Sequence, residues 1–161
     1  RIDAGQVQLR HTDALQNANV LLNANNGLSF ASLATAKVGT LAGAGSLALG
    51  TTGLTLAGSD TAGVYSGAIT GGGSVTKAGS GTARWTGASQ FDTLRVNAGR
   101  LQLEGGSVRL TNPNQGLYVG TGTSPNAVAS VLTVSGGAQL LATGNTVEVD
   151  GAAGTVTIVE L

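Results

Sequence analysis

His11 is the only histidine in this chain of 161 residues, and Asp13 follows it by two positions. An imidazole oriented by a carboxylate is half of a general-base device. No Gly-x-Ser-x-Gly elbow accompanies it, so His11-Thr-Asp13 reads as a solvated turn. The acids Asp60, Asp92, Glu104, Glu148, Asp150 and Glu160 are scattered, without EF-hand spacing and without a Gly-Gly-x-Gly-x-Asp calcium repeat. Glu148 and Asp150 share one side of a strand, within reach of a cation, but read as solvated outer-face residues. A carboxylate pair for glycoside cleavage has no positive support in the spacing. Gly71-Gly-Gly-Ser-Val-Thr-Lys77 lacks the glycine before lysine that a phosphate loop needs. Cysteine is absent, which removes thiolate metal ligands, thiol nucleophiles and disulfides. The reading is a non-enzyme with no catalytic, cofactor-binding or metal site and no cofactor.

The remaining residue types speak of architecture. Gly supplies 27 residues, charged residues are 10% and aromatics 3%. Such low charge is unlike a disordered segment, and two prolines with no triplet period exclude collagen. Eight basic and eight acidic side chains balance; with no Lys/Arg cluster, no nucleic-acid partner is expected. No run of eighteen apolar residues forms a membrane helix. The chain opens Arg1-Ile-Asp in mid-repeat, so the expectation is a fragment of something longer.

Apolar residues come instead as short alternating pulses between Gly, Asn, Ser and Thr, at 6–9, 20–22, 28–30, 47–49, 54–56, 64–69, 75–77, 83–85, 94–96 and 101–103. Further pulses lie at 108–110, 117–119, 131–134, 139–141, 147–149 and 156–159. Alternation puts Leu101 and Leu103 on one side of a strand and Gln102 on the other. Residues 13–22 have mild helical spacing, but Asn17-Ala-Asn19 and Asn23-Ala-Asn-Asn26 favour a turn and a strand. Asn26-Gly27 is the one hairpin-type dipeptide, too few for a sandwich or an up-and-down barrel. Stacked coils of a β-helix fit better, as one segment over residues 1–161. With about 20–25 residues per coil, about six to eight coils rise roughly 30–40 Å. Arg1-Ile-Asp-Ala-Gly-Gln-Val-Gln-Leu9 matches Arg95-Val-Asn-Ala-Gly-Arg-Leu-Gln-Leu103, an offset of 94 positions, which is about four coils. Asn112-Pro-Asn-Gln-Gly116 and Gly120-Thr-Gly-Thr-Ser-Pro-Asn126 read as longer loops leaving the column. Phe30 and Trp85 read as core; Tyr65, Phe91 and Tyr118 as corner caps or stacking residues, with an exposed adhesive strip as the alternative. Lys77, Arg84 and Arg95 are expected to face water.

Tyr65-Ser-Gly-Ala-Ile-Thr-Gly-Gly-Gly-Ser-Val-Thr-Lys-Ala-Gly-Ser-Gly-Thr-Ala-Arg-Trp-Thr-Gly87 resembles the autotransporter-associated β-strand repeat, also called the passenger-associated transport repeat. That pattern runs Leu-x-Lys-x-Gly-x-Gly-Thr-Leu-x-Leu-x-Gly and then Val-Asn-x-Gly-x-Leu-x-Leu. Its positions fall on Lys77, Gly79, Gly81, Trp85 and Gly87, and then on Val96, Asn97, Gly99, Leu101 and Leu103. Residues 2–9 resemble the tail of a preceding copy, and Leu132-Thr-Val-Ser-Gly-Gly-Ala-Gln-Leu140 resembles further passenger repeats. Two departures stand out. Ala83 and Trp85 replace a leucine pair, with Trp85 expected to fill the space Ala83 leaves, and Gln90-Phe-Asp-Thr-Leu94 lacks a Gly-Gly turn.

The resemblance implies a right-handed parallel β-helix from the passenger of a type V secreted protein of a Gram-negative bacterium, on the cell surface or secreted. Its implied role is a non-enzymatic stalk that aids translocation-coupled folding. The alternatives are an adhesin or self-association module, and a stalk for a serine protease or other enzyme module elsewhere in the passenger. The implied partners are the rest of the passenger, its outer-membrane translocator barrel, and a host glycan, matrix protein or second passenger. A cysteine-free chain suits crossing a membrane unfolded, because a disulfide would close a loop against threading.

Overall fold

In a computed structural model the described residues are 1–59, 63–120, 129–142, 147–149 and 154–158. Among them there is no helix, and every strand ladder is parallel. The chain is a parallel β-helix. Asn26, at the hairpin-type dipeptide, turns a corner with φ +51 instead, and its N–H donates to the Ser46 carbonyl in the next coil at 2.8 Å.

Three faces repeat in chain order. Face 1 is a seven-stranded sheet: Leu15–Leu21, Thr35–Ala42, Gly53–Leu56, Ser74–Lys77, Thr93–Val96, Leu117–Val119 and Val147–Val149. Face 2 holds Val64–Tyr65, Thr82–Trp85, Gly99–Glu104, Ser130–Ser135 and Gly154–Ile158. Face 3 holds Leu47–Gly50, Ile69–Gly71, Ala88–Phe91, Ser107–Leu110 and Gln139–Leu141, with the two-strand ladder of Val7–Gln8 and Leu28–Ser29 beneath. Seven strands on face 1 make six coil-to-coil steps, a column about 30 Å tall at the usual strand spacing.

Alternation along each strand turns one residue set inward, and parallel pairing stacks each set on its counterparts. On face 1 the registers run Ala36, Leu54, Val75, Leu94, Leu117 and Val38, Leu56, Lys77, Val96, Val119. On face 2 they run Ala83, Leu101, Leu132 and Tyr65, Trp85, Leu103, Val134. All of these are buried. Each buried leucine or valine contributes roughly 1.5–3 kcal/mol of transfer free energy. The column therefore holds itself together along its axis through these ladders.

The face 1 to face 2 corner is closed by glycine. A Cβ on Gly79 would lie 1.8 Å from the Gly58 carbonyl oxygen one coil below. Gly99 turns the same corner one coil later with φ +69. The matched phrase at residues 1–9 reproduces this turn, with Gly5 at φ +71, but at another corner. Ile2 bridges Leu22, and Val7 stacks on Leu28 beneath face 3, whereas Leu101 and Leu103 lie on face 2. The two phrases share a local turn and not a place in the coil, so their offset is not a whole number of coils.

The face 3 to face 1 corner varies in length from coil to coil. Between the paired positions Thr70/Gln90 and Ser74/Thr93 the chain spends residues 71–73 in one coil and only 91–92 in the next. The corner without Gly-Gly is thus shorter by one residue, with the Asp92 N–H donating to the Gly73 carbonyl at 2.9 Å. One coil further the same corner expands to residues 110–115. There Asn112 Oδ1 accepts the N–H groups of Asn114 and Gln115 at 2.9 and 3.1 Å. The other expected loop, Gly120 to Asn126, lies outside the described residues beyond Gly120.

Candidate functional site

The residues of the repeat motif come together at the face 1 to face 2 corner. Burial alternates without a break from Gly73 through Val75, Lys77, Gly79, Gly81 and Ala83 to Trp85. The period of two carries Lys77 inside, where it is 3% exposed. This corrects the expectation that Lys77 faces water. The inward side chain does not stay unpaired: Nζ donates to the Gly79 carbonyl two residues on, and to the Ala98 carbonyl of the next coil at 3.5 Å. The Lys77 carbonyl in turn accepts the N–H groups of Asn97 and Ala98 at 2.8 and 3.2 Å. Lys77, Gly79, Asn97 and Ala98 therefore form one hydrogen-bonded corner spanning two coils. Burial pulls the Lys77 amine down from 10.5 to about 8.

The other motif positions pack the interior. Leu101, Leu103 and Val96 are buried in register. Gly87 sits against the Gly67 carbonyl, 2.3 Å from where its Cβ would be. Trp85 is core, as its type suggested, and meets Phe91 edge to face at 6.3 Å between ring centres. Its indole N–H finds no acceptor among the described residues. Trp85 does not fill all the room beside Ala83, since a cavity of about 10 Å³ remains between Ala83, Leu56 and Lys77. Phe91 and Tyr65 are core too, and Tyr65 also caps a corner, its hydroxyl donating to the Gly45 carbonyl at 2.7 Å. Burial raises the Tyr65 hydroxyl above its ordinary value.

Outward residues form rows along the axis. Lys37, Thr55, Thr76, Arg95, Tyr118 and Glu148 are in register on face 1. Arg95 lies 4.1 Å from the Tyr118 ring centre and donates to Gln115 at 3.3 Å. On face 2 the exposed Arg84 pairs with Glu104 of the next coil, which holds the Glu104 carboxyl below its usual range. Arg84 and Arg95 thus point outward, as their charge suggested.

No family model, curated protein or solved structure matches the chain. Its chemistry is read from its own residues. His11 Nδ1 accepts the Asp13 N–H at 3.2 Å, while the Asp13 carboxylate pairs with Lys37 at 2.9 Å. Those contacts brace a turn and do not orient the imidazole through a carboxylate. Among the described residues no group of three or more His, Cys, Asp or Glu is placed to hold a metal ion. Glu148 is exposed, and Asp150 lies outside the described residues.

Composition did not reveal the polar contacts between coils. Thr52 Oγ1 donates to the Leu33 carbonyl at 2.7 Å, Thr40 Oγ1 to Asn19 Oδ1 at 3.0 Å, and the Ile69 N–H to Ser89 Oγ at 3.1 Å. Their signal in the sequence is parity: Ser89 stands at an inward position next to Phe91.

Proposed function

We propose that the chain is a non-enzymatic structural stalk from the surface-displayed or secreted passenger of an autotransporter. The observation that carries this reading is the column itself. Its coils bury aliphatic ladders in register and bond to one another through main-chain edges. Each folded coil offers a paired edge to the next, so coils add sequentially and their burial opposes backward slippage. Such a column supports both parts of the role: it sets a distance from the cell, and its growth outside the membrane favours export. The residues resembling the transport repeat lie where two successive coils join, which suits a role in that growth.

The test is Leu101→Asp with Leu103→Asp in the full-length protein, because both leucines are buried at 2% exposure or less. Two uncompensated charges inside the column cost more than about 5 kcal/mol together. Reduced surface display, alongside loss of the folded signal, is expected. Normal display would reject the export role.

A second reading, an adhesive or self-associating surface, is favoured by the outward row that carries the Arg95–Tyr118 stack. Charge substitutions along that row would abolish cell aggregation if the row is adhesive and leave it untouched if the column is only a spacer.

A further inference from the structure

Lys77 is the one charged side chain buried in the interior among the described residues. Its column neighbours are Leu56 in the coil below and Val96 in the coil above. Its acceptors are main-chain carbonyls, and the one in the next coil, Ala98, is at 3.5 Å, a long contact. Thr40, Leu41, Thr82 and Ala83 line the small cavity beside it, which has room for no more than one water. Among the described residues no other charged side chain is buried, and on the packed strand Gly99–Glu104 Arg100 is exposed and Glu104 pairs with Arg84. The strand Gly53–Leu56 carries none. Lys37 on Thr35–Ala42, Arg84 on Thr82–Trp85 and Arg95 on Thr93–Val96 all stand in the outward rows, and among the described residues no carboxylate pairs with Lys77.

An ammonium held only by carbonyls in an aliphatic interior is less well solvated than in water. The surrounding coils are aliphatic at this height: Val38, Val96 and Val119 occupy the same column. Only one neighbouring coil offers the amine an acceptor, the Ala98 carbonyl above at 3.5 Å, so the closed junction there is where the charge has to be met. We propose that the Lys77 amine makes the junction between the coil of residues 74–91 and the coil of residues 93–110 a proton-controlled seam, where the column opens first.

The proton balance fixes the direction. With the seam open the amine takes its proton near 10.5, and with it closed only near 8. Above 10.5 the amine is neutral in both states and the seam bears no penalty. As pH falls from 10.5 to 8 the open state binds the proton first and the seam weakens. Below 8 both states are charged and the seam is at its weakest, which includes neutral pH. In a stalk, such a seam sets where the column bends or is cut. The inference itself rests on the fold and stands whether or not the chain is exported.

Hydrogen exchange on the protein and on Lys77→Met tests it, methionine keeping the length of the side chain without its charge. At pH 7 the amides of Asn97 and Ala98, which bond to the Lys77 carbonyl, should exchange faster than those of Leu54 and Leu56. In Lys77→Met they should slow by roughly ten- to a hundredfold, within the limit set by the pKa difference. The urea midpoints supply the pH arm: the variant exceeds the parent at pH 7, and the gap closes as pH rises from 8 to 10.5. Equal protection of the two coils in the parent, or a gap that does not change with pH, would overturn the proposal. If Lys77→Met fails to fold, the lysine is a structural requirement of the coil and the seam is rejected.

Discussion

The coil holding Leu47, Leu49, Leu54 and Leu56 and the coil holding Val75, Lys77, Ala83, Trp85 and Phe91 follow the same backbone course but fill it differently. The first is aliphatic on two of its three faces: four leucines, each at most 2% exposed, with Tyr65 on the third. The second mixes an amine, an alanine and two aromatics, and leaves both a small cavity and an indole N–H with no acceptor among the described residues. The main chain tolerates either filling because ladder hydrogen bonds and glycine corners, not side-chain identity, set the coil. What differs is the margin. The leucine coil gains transfer free energy at each of these four leucines, while the mixed coil spends part of that gain on desolvating polar atoms.

The most disruptive way to break the contrast is to move the charge. Leu54→Lys puts an amine into the leucine coil, one inward position from Leu56 and away from the corner carbonyls that serve Lys77. It should cost about 4–5 kcal/mol or unfold the chain in a urea titration. Tolerance of that lysine would mean that the Gly79 and Ala98 carbonyls are not what makes Lys77 acceptable.

The corners offer a second contrast. Gly79→Ala forces a Cβ to 1.8 Å from a backbone oxygen, which fixed neighbouring coils cannot relieve, so a loss of about 3 kcal/mol or more is expected in thermal or urea unfolding. Gly50→Ala in the leucine coil meets nothing within 4 Å and bears only its φ of +59. Its loss should be about 1–2 kcal/mol. Equal losses would show that stacking between coils does not restrict the corner.

The smallest effect is at Trp85. Trp85→Phe removes ring volume but also the buried N–H without an acceptor, and these terms oppose each other. The expected net change is within about 1 kcal/mol. Leu49→Ala, with no polar atom to release, should cost about 3 kcal/mol by the same measurement.

The parallel stack was legible in the sequence because pulses of two inward residues, fenced by glycine, leave few other ways to bury apolar surface. Lys77 was misread because its charge was weighed above its parity. With Val75 inside, a period of two already puts Lys77 inside, and the carbonyl of Gly79 two residues on supplies an acceptor. The match between residues 1–9 and 95–103 misled for a related reason. A turn with glycine at positive φ is a local property, and three corners per coil can each use it, so likeness of phrase does not fix position in the coil. Corner length was not legible either. Residues 91–92 and 110–115 turn the same corner, because a corner residue that points to solvent costs little to add or remove.

Register between successive coils is the claim on which the rest depends, and the absence of cysteine makes it directly measurable. Thr76 and Arg95 are paired on adjacent strands, whereas Thr55 and Arg95 are separated by an intervening strand. Neighbouring parallel strands lie about 4.8 Å apart, within the span of a disulfide, and second neighbours do not. Under mild oxidation, Thr76→Cys with Arg95→Cys should cross-link within one chain, and Thr55→Cys with Arg95→Cys should not. Cross-linking of the second pair and not the first would contradict the stacked column.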